Sequence, residues 1–182
     1  MNLLLLTSPE NEPILGAEPD WFNQLAQNEC DWSVVGYDAA NQRIVILTNC
    51  DKLLASLPTW QCERWFVHRG NNDIDTIIER APLITLRRYR TADNKSQQFE
   101  QLWAESAQSE MKQPGIFGKW LYRSEPEECD YLSVSAWRQV SDAEAVTHSH
   151  LEWQKDHPPY PLTATPVRQV LEVKLFFPNS DS

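Results

Sequence analysis

Two consecutive stretches, PGIFGKWLYR (114–123) and YLSVSAWR (131–138), decide the fold of this chain. Pro114 and Gly115 interrupt a preceding helical pattern, and the residues after them form two extended runs. The acidic turn at 125–128 joins these runs, and each run has the length and the aromatic and β-branched content of a strand. The sequence therefore predicts a β-hairpin at the centre of the C-terminal half.

The elements on both sides of this hairpin complete an α+β unit. Before it, residues 82–90 have the pattern of a strand, and a helix that Asp93, Asn94 or Ser96 can cap follows. After it, Ser141 or Asp142 can cap a second helix that ends before Pro158, and the chain returns as a strand at 167–177. The predicted order is βαββαβ, which is the ferredoxin-like arrangement of two helices on one face of a four-stranded antiparallel sheet.

Alternate residues of the second hairpin strand face opposite sides of the predicted sheet. One set is apolar and suits the face that the helices cover: Leu132, Val134 and Ala136. The other set mixes aromatic and polar groups: Tyr131, Ser133, Ser135 and Trp137. We expect this second set to point away from the helices and to line a pocket.

The first half contains the signals of a shorter version of the same plan. Its predicted elements are a strand at 3–7, a helix at 21–27, hairpin strands at 32–37 and 43–48, a helix at 52–57 and a strand at 62–68. No residue motif recurs between the halves, so a tandem degenerate ferredoxin-like domain and an unrelated α+β subdomain both stay open. The predicted division is 1–70 for this unit, 71–80 for a helical linker and 81–182 for the ferredoxin-like domain.

Charge and composition limit the partners of the protein. The formal net charge is −10 over 182 residues, whereas proteins that bind nucleic acid or anionic lipid concentrate Lys and Arg at the phosphates. The apolar run Leu3 to Leu6 is too short to cross a bilayer and has no basic flank, so it predicts neither a signal peptide nor a membrane span. We expect a cytoplasmic protein with no nucleic-acid or membrane partner.

The chain has 4 cysteines, and their spacing gives no sign of a metal site. They are Cys30, Cys50, Cys62 and Cys129. No C-x-x-C pair is present, and such a pair is the usual signature of zinc or dithiol chemistry. Free thiols are therefore expected.

Short motifs of the C-terminal half resemble the antibiotic biosynthesis monooxygenase group. The element PGIFG (114–118) is the most recognisable, and Trp137 and His148 stand where that group has a Trp on the third strand and a His on the second helix. The resemblance implies a dimeric α+β barrel with a pocket between each sheet and its helices. Some members oxidise an aromatic polyketide with molecular oxygen and no metal or flavin, and others bind and degrade haem.

The first strand bears on the choice between these activities. The haem-degrading members have an Asn on it, and residues 83–89 contain none. The resemblance therefore favours a cofactor-independent monooxygenase that acts on a small quinol-like or anthrone-like aromatic. A haem-binding protein is the weaker alternative.

An oxygenase of this kind needs a surface for an aromatic ring and partners for its hydroxyl groups. Trp137 and Trp120 are the predicted stacking surfaces, and Tyr122 and Tyr131 are the predicted hydrogen-bond partners of the substrate. Aromatic residues on strands are also ordinary core or interface residues. Only the position of the pocket separates the two interpretations.

Catalysis needs a base and a cation. His148 is predicted as the base, and Arg87 is predicted to hold the substrate anion. A surface His and a solvated Arg are the structural alternatives. His148 and His150 lie two residues apart on a predicted helix, so they point to nearly opposite faces, and no metal site is expected.

A non-catalytic module that binds a small molecule or assembles with other copies is the second class of function. An aromatic-lined cavity with His148 or Arg87 facing inward would favour the enzyme, and a filled cavity would favour the module. A homodimer is the usual assembly of such sheets, and pairing of the two halves within one chain is the alternative.

Overall fold

The computed structural model describes residues 2–9, 20–27, 32–70, 74–124 and 130–178 of the chain. The first half contains β1 (Asn2–Thr7), α1 (Asp20–Gln27), β2 (Trp32–Asp38), β3 (Arg43–Thr48), α2 (Lys52–Ser56) and β4 (Gln61–Gly70). A short helix, α3 (Ile74–Ile78), leads into the second half. That half contains β5 (Leu83–Arg90), α4 (Ser96–Glu110), β6 (Ile116–Ser124), β7 (Asp130–Trp137), α5 (Val140–Asp156) and β8 (Val167–Pro178).

The order βαββαβ predicted for the second half is confirmed, and the first half has the same order of elements. The helix α3 falls within the stretch predicted as a linker. Within the described residues, none of the helices combines the length and the apolar character that crossing a membrane requires.

The eight strands form one closed barrel in the order β1-β3-β2-β8-β5-β7-β6-β4. In each half the fourth strand lies beside the first, then the third, then the second, which is the ferredoxin-like order. Two antiparallel pairs join the halves, β2 with β8 and β4 with β6. The chain is therefore a single α+β domain whose barrel closes within one chain, and a homodimer stays a prediction.

Apolar side chains from every strand fill the interior of this barrel. The cluster includes Leu3, Leu5, Trp32, Val34, Val45, Leu47, Trp65, Ile84, Leu86, Trp120, Tyr122, Leu132, Val134, Ala136 and Leu171. Ile74 and Ile78 of α3 belong to the same cluster. A barrel of this strand number is just wide enough for side chains to fill, so the interior is a core and not a channel.

The faces of β7 are the reverse of the sequence prediction. Leu132, Val134 and Ala136 lie in the barrel interior and not against the helices. The alternate residues, Tyr131 and Trp137 among them, pack against α4 and α5. The alternation of a strand assigns its residues to two faces, but it does not say which face the helices cover. In a closed barrel the wholly apolar face, that of Leu132, Val134 and Ala136, must turn inward.

The turn before β6 depends on a glycine. Gly115 has a φ of +88°, and a Cβ added there would overlap the Asp142 carboxylate at the start of α5. The backbone N–H of Arg138 donates to the Gly115 carbonyl at 2.8 Å. The turn at 114–115 therefore sets the distance between the hairpin and α5.

Replacement of Gly115 tests this packing. We expect Gly115→Ala to lower the free energy of unfolding by roughly 1–3 kcal/mol, because a Cβ meets both the left-handed backbone and Asp142. Urea unfolding followed by circular dichroism measures the loss. In the background of Asp142→Ala, the same glycine replacement should cost less unfolding free energy than it does in the wild-type protein, because the clash with Asp142 is gone and only the backbone strain remains. An unchanged stability of Gly115→Ala would refute the argument.

Candidate functional site

The outer faces of the two halves are covered differently. In the first half, α1 and α2 lie on an apolar cluster of Leu6, Trp21, Leu25, Val35, Ile44, Ile46, Cys50, Leu53, Leu57 and Trp60. In the second half, two smaller apolar clusters lie under α4 and α5. Charged and polar side chains are buried between these two clusters.

These polar groups surround a cavity of about 30 Å³ between the second-half strands and the two helices. Its polar lining includes Arg87, Glu110, Lys119, Ser133, Ser135 and His150. Trp137 supplies an aromatic wall. A polar space of this volume accommodates roughly two water molecules, whereas pockets for drug-sized ligands measure about 300–1,000 Å³.

Glu110 is the centre of the buried cluster. The Lys119 ammonium donates to its Oε2, and the Ser106 hydroxyl donates to its Oε1 at 2.8 Å. His150 Nδ1 lies 3.2 Å from the same Oε1. Burial works to raise the pKa of Glu110, but the charge of Lys119 and the hydrogen bonds from His150, Lys119 and Ser106 lower it to about 2. The carboxyl group is therefore ionised at neutral pH.

The position of Ser106 indicates the tautomer of His150. Ser106 Oγ lies 2.9 Å from His150 Nδ1, and its own proton goes to Glu110. Nδ1 must then be the donor, so Nε2 is the basic nitrogen of the neutral ring. Since Ser106 donates to a carboxylate and not to the histidine, this is not the arrangement that activates a serine nucleophile.

Two cationic side chains, Lys119 and Arg87, and the phenol of Tyr89 complete the site. Burial lowers the pKa of Lys119, the contact with Glu110 opposes that effect, and the ammonium lies 5.3 Å from the centre of the Trp103 ring. Burial raises the pKa of Tyr89 to about 12, although the hydrogen-bonded Arg87 works in the other direction. Tyr89 is therefore a neutral phenol beside a guanidinium at neutral pH.

Of the predicted site residues, the structure places Arg87 and Trp137 in the lining of the cavity. Trp137 is held there by a hydrogen bond from its Nε1 to Thr85 Oγ1 at 2.9 Å. His148 is exposed on α5 and does not line the cavity. The histidine that α5 turns inward is His150.

The remaining predicted site residues lie elsewhere. Trp120 and Tyr122 belong to the barrel core, and burial raises the pKa of Tyr122 above its usual range. Tyr131 faces α4, where its hydroxyl donates to Glu100 at 2.6 Å, and it does not line the cavity. Burial, with a contribution from Glu100, raises the pKa of Tyr131 to about 12.

Sequence analysis missed Glu110, Lys119 and His150, although each has a positional signal. Glu110 follows Ser106 by four residues and Trp103 by seven, so it shares the buried face of α4. Lys119 alternates with Trp120 and therefore faces the opposite side of β6. His150 shares the inward face of α5 with Ala143 and Val146. Among the described residues, no three His, Cys, Asp or Glu side chains form a group that could hold a metal ion.

Comparison with known proteins agrees with this architecture. Neither a family model nor a curated protein matches the sequence. A ferredoxin-fold protein from Listeria monocytogenes, described as related to antibiotic biosynthesis monooxygenases, has a TM-score of 0.58 at 8% identity and covers 96% of this chain and 95% of its own. This chain has the fold of the monooxygenase-like barrels. The resemblance predicted for the C-terminal half extends over the whole chain.

Two further structures share the fold. An anthrone oxidase-like protein has a TM-score of 0.63 at 10% identity, with 99% of this chain and 93% of its own covered. A haem-degrading enzyme from Listeria monocytogenes has a TM-score of 0.61 at 8% identity, with 94% of this chain and 99% of its own covered. Identities this low relate the chains by fold, and activity must be argued from the site.

The buried ion pair leads to a prediction about stability. Lys119→Met should cost about 3–5 kcal/mol of unfolding free energy, because it leaves the Glu110 carboxylate buried without its cation. The double variant Lys119→Met/Glu110→Gln should recover most of that loss, since no net charge stays buried. Urea unfolding at neutral pH measures both. Equal losses in the single and double variants would contradict the proposed pairing.

The lowered pKa of Glu110 leads to a prediction about pH. The folded value of about 2 lies below the ordinary value of 4.5, so the stabilising contribution of the carboxylate is complete above pH 4.5 and is lost as the pH falls towards 2. As the pH falls from 4.5 towards 2, we expect the unfolding free energy of the wild-type protein to decline relative to that of Lys119→Met/Glu110→Gln. Urea midpoints over a pH series provide the measurement, and a pH-independent difference would argue against it.

Proposed function

We propose that this protein is a cofactor-independent, monooxygenase-like enzyme that acts on a small aromatic molecule with an ionisable hydroxyl group. The observation that carries the proposal is the buried polar cluster of Glu110, Lys119, Ser106 and His150. The first half packs apolar side chains in the corresponding place between its sheet and helices. The fold therefore does not need charges there.

Energetics support a functional reason for this cluster. Desolvation of a buried ion pair commonly offsets the attraction between its charges, so apolar packing would be at least as stable. Charged groups that are buried together and have shifted pKa values concentrate at functional sites. An oxygenase uses such groups to remove a substrate proton and to hold the resulting anion.

The residues of the cluster have distinct roles in this proposal. His150 is the base through Nε2, because its Nδ1 proton is held by Ser106. Arg87 and Lys119 stabilise the substrate anion. Glu110 keeps both Lys119 and His150 in position. His148, which the sequence favoured as the base, is exposed and becomes the natural control.

The proposed chemistry balances without a resident cofactor. His150 removes a proton from a methylene carbon that is activated by the hydroxylated ring system. The carbanion transfers one electron to molecular oxygen, and the two radicals join to form a C–O bond. The peroxide takes up a proton and loses water to leave a carbonyl group. One oxygen atom enters the product, the other leaves as water, and the methylene supplies both hydrogens of that water.

A non-catalytic module for ligand binding or assembly is the second candidate, and the small volume of the cavity favours assembly. A space of about 30 Å³ holds no aromatic molecule unless side chains move. A protein that uses the barrel only for assembly would need no such movement. Haem would need a larger displacement still, and residues 83–89 offer no Asn.

Oxygen consumption tests the proposed activity. With 1,8-dihydroxyanthrone as probe, we expect the wild-type protein to consume one oxygen molecule per quinone formed. His150→Ala should lower the rate at least about 100-fold, as expected for the loss of a general base, and His148→Ala should leave it unchanged. An oxygen electrode and absorbance spectroscopy give the two readouts.

Three other results would contradict this assignment. An equal loss in both histidine variants would remove His150 as the base. A Soret band on titration with haemin, without oxygen uptake by the anthrone, would favour the haem alternative. Binding of the anthrone without any turnover would favour the non-catalytic module.

A further inference from the structure

A groove lies between the first-half strand β4 and the second-half helix α4. Its lining includes His68, Arg69, Gly70, Trp103, Gln108 and Lys119. Its volume is about 420 Å³, compared with about 30 Å³ for the buried cavity. Of these two spaces, the groove is the one whose volume falls within the range of roughly 300–1,000 Å³ that is typical of small-molecule sites.

One residue of the groove lining, Gly70, is restricted by packing inside the barrel. The Trp120 ring occupies the space where a Cβ at Gly70 would lie, so the chain has no side chain at this position. Gly70 is exposed at the end of β4 and pairs with Trp120 on β6. The contact with Trp120 therefore requires a glycine at this position of the groove lining.

The charge of the groove differs from that of the whole molecule. The chain has a net charge of −10, but Arg69, Lys119 and His68 line the groove, and no Asp or Glu does so among the described residues. The carboxylates that contact two of these groups, Glu110 and Glu100, are not part of the lining. Arg69 and Lys119 are thus the charged groups of the groove, and Trp103 forms an aromatic wall.

Lys119 connects the groove to the buried cluster. It lines both spaces, and its ammonium contacts Glu110 on one side and lies over the Trp103 ring on the other. An acidic oxygen that enters from the groove meets this ammonium first. Glu110 contacts this ammonium, and His150 in turn contacts Glu110.

We propose that the groove binds the body of a planar aromatic ligand, and that the ligand places an acidic oxygen on Lys119. The inference rests on the proposed function for the class of ligand, but it assigns a different place to the aromatic rings. The rings lie in the groove and not in the cavity, and the reacting edge reaches the polar cluster past Lys119. This arrangement removes the conflict between an aromatic substrate and a cavity of about 30 Å³.

A pair of probes that differ only in charge tests the contact with Lys119. 2-Naphthoate and 2-naphthamide have the same size and shape, and isothermal titration calorimetry gives their dissociation constants. We expect the anion to bind about tenfold more tightly than the amide to the wild-type protein. The double variant Lys119→Met/Glu110→Gln should bind both probes equally well. Retention of the full preference in that variant would overturn the role of Lys119.

A bulky substitution tests the place of the rings. Gln108 is exposed on α4 and lines the groove. Gln108→Trp should therefore raise the dissociation constants of both probes at least about tenfold. Gln98→Trp adds the same bulk at an exposed position of α4 outside the groove and should change neither dissociation constant. Unchanged binding to Gln108→Trp would overturn the inference, as would the absence of binding by either probe to the wild-type protein.

The binding readout separates this inference from the proposed activity. Binding that responds to Gln108→Trp, in a protein that never consumes oxygen, would support the groove and refute the enzyme. Oxygen uptake that depends on His150 but is unaffected by Gln108→Trp would support the enzyme and refute the groove.

Discussion

Closure of the barrel is the constraint on which the rest of the structure depends. Taken alone, the four strands of each half would leave two strand edges unpaired, and an unpaired edge is a site of unwanted association. The antiparallel pairs β2–β8 and β4–β6 remove all four edges at once. Closure also requires that every strand turns an apolar face inward, and the shared core of all eight strands meets this requirement.

Because the interior stabilises the whole barrel, the outer faces of the two halves are free to differ. One half uses its helices to bury apolar side chains. The other half buries Lys119 and Glu110 beneath α4 and α5, where their charges are desolvated and held by hydrogen bonds. Arg87 and Lys119 lie on the same face of a rigid sheet, which keeps the geometry of the cluster. The cluster therefore does not need to contribute much to the stability of the protein.

The groove is a product of the same closure. Its two walls come from different halves of the chain, β4 from the first and α4 from the second. They meet because β4 pairs with β6, which carries Lys119 next to Trp120. The first half therefore completes the barrel and also supplies one side of the proposed ligand site.

Sequence alone determined the order of the helices and strands, and it showed that β7 has one apolar face and one face of mixed aromatic and polar residues. Both follow from local signals, residue alternation and helix caps. It also selected Arg87 and Trp137, which the structure places in the cavity. It could not decide which face of β7 turns inward, since Leu132 and its neighbours suit helices and a barrel core equally well. Tertiary structure alone joined Glu110, Lys119 and His150, which lie on three separate elements, and turned His148 to the surface. The reason is physical: contacts between distant elements depend on closure of the barrel, and closure is a property of all eight strands together.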